Sequence, residues 1–288
     1  MKHSRLLGVP ALLVAAACSK HAPANTNASP AAAAATRITL SGSSALAPLA
    51  SEAATRFMRL HPEITVQVTA GGSRQGLSQV SSGAVTIGNS DIAAAPGQAG
   101  SLEDHRVAVV GFAAMANRGP FDEAVASLTR DQMRAIFGGQ VRNWTQVGGG
   151  EQVITVINRA RSSGTRAVFG SLVLGGDNFA EGTAEQDNNG QLQTMLLQQT
   201  GAISYLALSY RSDRLKVFAL DGVEPTTANI ASGAYPVWSY EHMYTRGPAT
   251  GALRQFLDFV ISAEFQADAV SRLGFIPITQ MRVSRDHD

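Results

Sequence analysis

The stretch VITVINRARSSGTRAVF, residues 153–169, decides how this chain folds and what kind of site it builds. Its first five residues are apolar or β-branched and predict a buried strand, and residues 166–169 predict the start of a helix. The turn between them holds Arg159, followed by Ser163-Gly164-Thr165. Backbone N–H groups at a helix N-terminus have no partner inside the helix, so with hydroxyls and an arginine beside them they favour an anion. The stretch therefore predicts a strand–turn–helix unit with an anion site at its turn.

Strand and helix patterns alternate on the N-terminal side of this unit. Residues 37–40 predict a strand, and apolar residues between Leu46 and Leu60 recur at helical spacing. Alternating apolar residues at 64–68 predict a second strand, and residues 86–89 predict a third. The order βαβαβ predicts an α/β fold in which mostly parallel sheets are flanked by helices.

The middle of the chain adds two further patterns. Residues 107–116 are strongly apolar, and we expect this run to cross between two domains. Thr129 and Gln132 form a capping-box pattern, which predicts a helix start just before Met133, Ile136 and Phe137.

Four polar turns stand where a predicted strand ends or a helix begins: residues 41–44, 71–74, 89–91 and 159–165. Ligands of open α/β sheets bind outside the carboxyl ends of the strands, where helix N-termini supply N–H donors. Serine and glycine at any one of these turns are explained equally well as helix caps. Four such turns in one chain favour a ligand site.

Asp91 narrows the choice of anion. A carboxylate repels a bound anion at short range, unless the anion carries a proton that it can donate. Hydrogenphosphate and dihydrogenphosphate carry such a proton, whereas sulfate near neutral pH does not, and an unpaired buried charge is costly. Asp91 therefore favours phosphate, with a helix cap or turn residue as the alternative role.

The N-terminus predicts export. A short basic region precedes the apolar run 6–17, which is too short to span a membrane and fits a signal peptide of residues 1–17. Small residues directly before Cys18 resemble a bacterial lipobox, so we expect a lipid on Cys18, with an ordinary cleaved signal and an incidental cysteine as the alternative. Residues 18–36 are rich in Ala, Pro, Asn and Thr and predict a flexible tether.

Charge excludes one class of partner. Removal of residues 1–17 takes away two of the 23 basic residues and none of the 22 acidic ones, which leaves 21 against 22. Nucleic-acid binding needs a basic footprint, so this balance argues against it. Anion specificity must then come from a local site.

The pieces in combination resemble the phosphate-binding proteins of bacterial phosphate-specific ABC transporters, which are class II periplasmic binding proteins. The resemblance runs from about Ile38 to Ile278. It is carried by GSSALAP at 42–48, GGS at 71–73, SDIA at 90–93, IFGG at 136–139, NW at 143–144, RARSSGT at 159–165, GAISY at 201–205 and YPV at 235–237.

The resemblance implies a two-domain fold that closes on its ligand at a hinge. Domain I would comprise residues 37–112 and 240–288, and domain II residues 113–239. It also implies a monomeric receptor in the periplasm or at the cell surface, which delivers phosphate to an ABC permease and needs no cofactor.

The resemblance further assigns a set of phosphate ligands. They are Ser44, Ala45, Ser73, Asp91, Arg159, Ser163, Gly164 and Thr165. The two serines Ser44 and Ser73 would supply hydroxyl and N–H groups, and Ala45 an N–H group. Asp91 would accept the phosphate proton and Arg159 would pair with phosphate oxygens, while residues 163–165 would donate from a helix start.

Two arginines depart from the family pattern. Arg74 stands where small residues are usual, and we expect it to point to solvent rather than to the ligand. Arg161 competes with Arg159, but the family spacing favours Arg159 as the ligand. Arg161 is then expected to support Asp91 or the domain surface.

Catalytic patterns are weak in this sequence. The six histidines show no metal-ligand spacing, and there is neither a G-x-S-x-G elbow nor a P-loop lysine motif. We expect no metal and no enzyme activity, and we expect Trp144 and Trp238 to pack in the core. The alternatives are a receptor for another oxyanion such as sulfate or tungstate, which Asp91 opposes, and a secreted phosphatase-like or adhesive protein on the same fold.

Overall fold

The computed structural model describes residues 36–118, 124–181 and 183–285, in which nine strands join into one sheet and two more pair beside it. The strands are β1 (Thr36–Ser43), β2 (Ile64–Gly71), β3 (Ile87–Ser90), β4 (Leu102–Asn117), β5 (Ser127–Leu128), β6 (Thr155–Asn158), β7 (Ala184–Glu185), β8 (Ala202–Ala207), β9 (Leu215–Val217), β10 (Ala219–Leu220) and β11 (Trp238–Arg246). The α-helices are α1 (Ala47–Leu60), α2 (Ser73–Ser82), α3 (Pro96–Ala99), α4 (Arg130–Phe137), α5 (Gly164–Phe169), α6 (Asn189–Gln198), α7 (Thr227–Ala231), α8 (Gly251–Val260) and α9 (Ala263–Phe265). Short 3₁₀ helices span Trp144–Val147, Leu208–Tyr210 and Ile278–Gln280, and π-helical turns span Gly170–Leu174 and Gln266–Val270.

The sheet has parallel strands towards its two ends and antiparallel strands in its middle. Its order is β2-β1-β3-β11-β4-β8-β6-β7, and β9 also pairs with β4. Strand β1 is parallel to β2 and β3, and β6 is parallel to β7 and β8. Strands β11 and β4 run antiparallel to their neighbours. The α/β class is confirmed, but the sheet is mixed because β11 returns between β3 and β4.

Strand β4 connects the two halves of the sheet. The first half contains β1, β2, β3 and β11, and the second half contains β6, β7, β8 and β9. Its residues 102–111 pair with β11, and its residues 112–117 pair with β8 and β9. The apolar run 107–116 was expected to cross between domains, and it lies along this strand, buried throughout. The domain boundaries 37–112 plus 240–288 and 113–239 stay a prediction.

The first half brings three turns to one edge. In the register of β1, Ser43 lies opposite Gly71 of β2, and Gly42 lies opposite Asn89 of β3. The ends of these parallel strands therefore meet. Gly42 has φ 132°, and a Cβ there would lie 2.1 Å from the Asn89 carbonyl oxygen, so this crowded end of β1 requires glycine.

The helices of this half bury the apolar faces that the sequence predicts. Leu49, Ala53 and Phe57 of α1 are buried, and the Phe57 ring packs edge-on against Phe256 of α8. Burial of this apolar stripe is the main stabilising contribution that α1 makes.

In the second half an aromatic cluster fixes the strand–turn–helix unit. Phe169 of α5 stacks on Tyr205 of β8 with ring centroids 4.5 Å apart, and Phe137 of α4 meets both rings edge-on. The predicted capping box is confirmed, because the Thr129 side chain accepts from the Gln132 N–H while the Gln132 side chain accepts from the Thr129 N–H. Trp144 is buried and stacks on Phe218, as expected for a packing residue.

Some sequence predictions fall on residues that the structure does not describe. The signal peptide 1–17, Cys18 and nearly all of the tether 18–36 lie outside the described residues. Within the described ranges, none of the helices combines the length and the apolar character that a membrane crossing requires.

Candidate functional site

The four polar turns meet where the two halves of the sheet face each other, in a buried contact region that we call the cleft. The first wall of this cleft comes from the ends of β1, β2 and β3, and the second from the turn between β6 and α5 and from residues 186–189. Asp91 and Arg159, each 1% exposed, lie on opposite walls. The structure thus brings together the residues that the sequence selected.

Ser43 organises the first wall. Its hydroxyl oxygen accepts hydrogen bonds from the Ala45 N–H at 3.0 Å and the Leu46 N–H at 3.1 Å, and the hydroxyl donates to Asp91 Oδ1. Ser43 thereby closes the turn before α1 and holds the Asp91 carboxyl at the same time. In this state the Ala45 N–H, which we predicted as a phosphate donor, is bonded to Ser43.

Asp91 is held from both walls. Its Oδ2 accepts from the Thr165 hydroxyl at 2.9 Å, and its backbone N–H donates to the Ser73 hydroxyl oxygen at 2.9 Å. The Ser239 hydroxyl of β11 donates to the Asp91 carbonyl oxygen. Both the main chain and the side chain of Asp91 are therefore fixed in place.

Burial and hydrogen bonding act in opposite directions on Asp91. Burial is the larger effect and raises the pKa of the Asp91 carboxyl, while the hydroxyls of Ser43 and Thr165 and the charge of Arg159 oppose that rise. Donors to a carboxylate favour its ionised form. The two hydroxyls and the guanidinium therefore suit Asp91 to act as an acceptor at this buried position.

Arg159 organises the second wall. Its Nε donates to the Gln186 carbonyl oxygen at 3.0 Å, and its Nη2 donates to the Asp187 carbonyl oxygen at 2.7 Å. Its Nη1 is buried and, among the described residues, has no hydrogen-bond partner. Burial lowers the pKa of this guanidinium, although an arginine stays protonated in proteins. One donor of a fixed, buried cation is therefore available for a ligand.

Ser44 is the point at which the two walls meet. Its hydroxyl oxygen accepts from Arg159 Nη2 at 3.3 Å, from the Asn189 N–H at 3.2 Å and from Asn189 Nδ2 at 3.0 Å. A hydroxyl oxygen has two acceptor lone pairs, so three donors exceed what it can satisfy fully. The Tyr210 hydroxyl also donates to the Ser44 carbonyl oxygen at 2.8 Å. The donors around Ser44 would suit an oxyanion better than a single hydroxyl.

The turns before α2 and α5 approach each other closely. The Arg74 N–H donates to the Ser162 carbonyl oxygen at 3.1 Å across the cleft. A Cβ on Gly164 would lie 2.2 Å from Ser73 Oγ, and a Cβ on Gly72 would lie 2.5 Å from the Ser162 carbonyl oxygen. The walls therefore meet only because glycines stand at both positions.

Residues 163–165 begin α5 as expected. Ser163 is the N-cap, and its hydroxyl oxygen accepts from the Arg166 N–H at 3.2 Å. The first N–H groups of a helix, here those of Gly164 and Thr165, have no acceptor inside the helix. Both residues are buried at the cleft, so these groups can serve a ligand there.

Arg161 and Arg74 lie outside the group of residues around Asp91 and Arg159. Arg161 Nη1 donates to Asp177 Oδ2 at 2.7 Å, and the Arg161 side chain is 77% exposed. It lies on the surface, which was one of its two predicted roles. Arg74 is exposed, as the sequence reading favoured.

Several residues of the cleft were missed by the sequence reading. They are Ser43, Asn158, Arg166, Asn189, Tyr205, Tyr210, Ser239 and Glu241. Two of these residues had a signal in the sequence. Ser43 belongs to the polar turn 41–44, and Asn189 follows the N-cap residue of α6, which is also an asparagine. Nothing in the local sequence of Tyr210 or Glu241 indicates a site.

Arg166 holds the backbone of the second wall in place. Its Nη1 donates to the Arg159 carbonyl oxygen at 2.6 Å, and its Nε pairs with Asp177 at 2.7 Å. Its guanidinium also lies over the Phe179 ring at 4.4 Å. Arg166 is buried in the packing of the turn, so it fixes the backbone that carries Arg159.

The arrangement suits binding of an oxyanion. Hydroxyl groups, helix-start N–H groups and one buried cation are brought together around a buried carboxyl. Within the ranges 36–118, 124–181 and 183–285, no three His, Cys, Asp or Glu side chains form a group that could hold a metal ion.

The family model, a curated relative and two solved structures give consistent matches. Residues 27–264 match the family model described as the PBP superfamily domain. The chain is 46% identical over 253 residues to the phosphate-binding protein PstS of Bacillus subtilis (strain 168), an alignment that covers 86% of this chain and 83% of that protein.

Solved structures show the same fold. A protein from Clostridium perfringens, described as a phosphate ABC transporter substrate-binding protein with bound phosphate, is similar with a TM-score of 0.79 and 26% identity, over 84% of this chain and 100% of that one. An ABC-type phosphate transport receptor from Vibrio cholerae is similar with a TM-score of 0.68 and 28% identity, over 83% of this chain and 99% of that one.

Proposed function

The chain belongs to the PBP superfamily and, within it, to the phosphate-binding proteins PstS, and we propose that it captures inorganic phosphate in its cleft and delivers it to an ABC permease. The observation that carries this function is the buried, partly unpartnered guanidinium of Arg159 opposite Asp91. A bound anion gives that guanidinium a partner, and a proton on the anion gives Asp91 a donor.

Each predicted ligand has a role in this proposal. Arg159 pairs with phosphate oxygens, and the N–H groups of Gly164 and Thr165 donate from the start of α5. The hydroxyls of Ser44, Ser73 and Ser163 and the N–H of Ala45 add donors once the ligand displaces their present partners. The proposal is supported by the burial of all these residues at one cleft.

Asp91 gives the site its preference for a protonated anion. Hydrogenphosphate donates its proton to the carboxylate, whereas sulfate presents only acceptors to it. A site that leaves a buried polar group unpaired with the wrong ligand rejects that ligand strongly, in known cases by about 10⁴-fold. We therefore expect phosphate and arsenate to bind and sulfate to be rejected.

Calorimetric titration of the phosphate-stripped mature protein with phosphate, arsenate and sulfate tests this function. We expect a phosphate Kd in the micromolar range or below, which corresponds to about 8 kcal/mol or more. Asp91→Asn should weaken phosphate binding and reduce the difference in affinity between phosphate and sulfate. Equal affinity of the wild type for phosphate and sulfate would contradict the role of Asp91, and tighter binding of sulfate would favour the alternative oxyanion receptor.

We propose that the chain is a binding protein and not an enzyme, in keeping with the names of its relatives. Release to a permease then depends on opening of the cleft, and the energy for transport comes from the permease's ATPase. Turnover of p-nitrophenyl phosphate that is abolished by Ser44→Ala would contradict this.

We also propose that the receptor works outside the cytoplasm as a monomer anchored through a lipid on Cys18. The sequence of residues 1–36 supports the anchor. Light scattering of the mature protein at the mass of two chains would contradict the monomer.

A further inference from the structure

A second carboxyl group lies behind Asp91. Glu241 of β11 is 0% exposed, and no N–H or O–H group of the described residues donates to either of its carboxyl oxygens. A buried carboxylate without donors or a cation is among the most costly arrangements in a protein. Glu241 therefore calls for an explanation that packing alone does not provide.

The position of Glu241 on its strand directs it to the cleft. Ser239, two residues earlier on β11, donates to the Asp91 carbonyl oxygen, and alternate residues of a strand point to one face. Strand β11 pairs antiparallel with β3 so that His242 lies opposite Ser90, which places Glu241 beside Asp91 at the next position. Two neighbouring carboxyl groups at a buried site cannot both be ionised, so such a pair holds a proton.

The surroundings decide which of the two carries that proton. Asp91 accepts from the Ser43 and Thr165 hydroxyls and feels the positive charge of Arg159, and all three favour its ionised form. The other titratable group that acts on both carboxyls is Tyr210, whose pKa is raised to about 12, so it stays neutral and contributes no charge. The donors and the cation therefore lie on the Asp91 side, and Glu241 is the member of the pair that has none.

We propose that Glu241 is a protonated, neutral positioning residue that donates a hydrogen bond to the Asp91 carboxylate and so maintains Asp91 as the acceptor that selects a protonated oxyanion. Asp91 then receives three fixed donors, from Ser43, Thr165 and Glu241, and retains acceptor capacity for the ligand's proton. The inference rests on the proposed phosphate function and deepens it.

The direction of the pH effect follows from the charges. Burial and the neighbouring Asp91 raise the pKa of Glu241, so the proton is retained well above the usual range of a glutamate. Once pH rises through that raised pKa, a second negative charge appears beside Asp91 and the anion. Phosphate binding to the wild type should then weaken, whereas a neutral amide at this position should not show this loss.

The test compares the wild type with Glu241→Gln, which keeps a neutral donor, and Glu241→Leu, which has none. At neutral pH we expect Glu241→Leu to weaken phosphate binding by about tenfold or more, and Glu241→Gln to weaken it clearly less. Glu241→Leu should also reduce the difference in affinity between phosphate and sulfate, because Asp91 takes up a proton more readily without the hydrogen bond from Glu241. Equal losses in the two variants would show that Glu241 only fills space, which overturns the proposal.

An infrared difference spectrum of wild type minus Glu241→Gln, recorded without ligand, measures the proton itself. We expect the carbonyl band of a protonated carboxylic acid at neutral pH, and a carboxylate band alone would overturn the proposal. The phosphate Kd of the wild type, divided by that of Glu241→Gln, should rise with pH. The rise should occur in the pH range where the carboxylic acid band disappears, and should reach up to about tenfold per pH unit. Because phosphate titrates in the same way with both proteins, this ratio removes the effect of the ligand's own titration. A band that disappears with rising pH while the ratio stays constant would also overturn the proposal.

The two readouts separate this inference from the proposed function. If the wild type does not bind phosphate, the titrations fail for all three proteins, but the infrared spectrum still reports whether Glu241 is protonated. Glu264→Gln, an exposed carboxyl at the start of α9, is the matched control and should leave both affinity and spectrum at this band unchanged.

Discussion

At the residue scale, Arg159 and Arg161 differ in their surroundings although they are two positions apart. Arg159 is buried in the cleft with one free donor nitrogen, whereas Arg161 is paired with Asp177 on the surface. An exposed ion pair contributes about 0–1 kcal/mol, while a buried hydrogen bond to an ionised group contributes about 1.5–3 kcal/mol. The same residue type thus has a ligand role in one place and a surface role in the other.

We therefore expect Arg159→Ala to weaken phosphate binding by about 10-fold to 100-fold or more, and Arg161→Ala to change it by about twofold at most. Calorimetric titration of both variants measures the difference. The reverse order would show that the wrong arginine is assigned.

A control for folding is needed because Arg159 also donates to the carbonyl oxygens of Gln186 and Asp187. Arg159→Lys keeps the charge but loses the planar fork, so it should also bind phosphate weakly while its far-UV circular dichroism remains that of the wild type. Wild-type affinity in Arg159→Lys would show that charge alone suffices.

Some residues that the structure brings to the cleft have a signal in the sequence, and others have none. Asp91, Arg159 and Ser44 belong to polar turns at strand ends, and the presence of four such turns in one chain selects them. Glu241 and Tyr210 reach the cleft from elements 150 and 119 positions beyond Asp91, and no local pattern marks a strand or 3₁₀ residue as a neighbour of a distant carboxyl. Such contacts depend on the register of β11, which the sequence alone does not determine.

At the element scale, the starts of α2 and α5 face each other across the cleft. Gly72, the N-cap of α2, has φ −104° and ψ 154°, a conformation that alanine adopts without strain. A Cβ at this position would nevertheless lie within 2.8 Å of the carbonyl oxygen, carbonyl carbon and Cβ of Ser162. The glycine is therefore required by the approach of the two turns and not by its own backbone.

We expect Gly72→Ala to hinder the approach of the two walls and to weaken phosphate binding by about tenfold, since overpacking costs about 1–3 kcal/mol. The measurement is the phosphate Kd by calorimetry. The matched control is Gly97→Ala in α3, where a Cβ meets nothing within 4 Å, so its Kd should be that of the wild type. Wild-type affinity in Gly72→Ala would show that the walls need not come this close to bind the ligand.

Elements were predictable where the signal is local. The apolar spacing of α1 and the capping box of α4 are both found in the structure, because each depends on residues within one or two turns. The antiparallel insertion of β11 between β3 and β4 was not predicted. Its partners are more than 120 residues away in sequence, so strand polarity within the sheet is a property of the topology.

At the scale of the whole molecule, the cleft is formed by two halves that the chain joins along β4 and again before β11. Asp91, Ser73 and Ser44 come from one half, and Arg159, Thr165 and Asn189 from the other. Because neither half holds a complete set of donors, we expect binding to require both halves and opening of the halves to release the ligand. This arrangement suits a receptor that must bind firmly and still deliver its ligand.

The same arrangement predicts that capture does not depend on the N-terminal segment. Every residue assigned to the cleft lies between Ser43 and Glu241, whereas the proposed lipid attachment is at Cys18. We expect the wild type to fractionate with membranes in a bacterial host and Cys18→Ser to appear in the soluble extracytoplasmic fraction. The released protein should bind phosphate with the wild-type Kd, because the anchor contributes no donor to the cleft. A wild type already in the soluble fraction would mean that residues 1–17 are an ordinary signal peptide and that Cys18 carries no lipid.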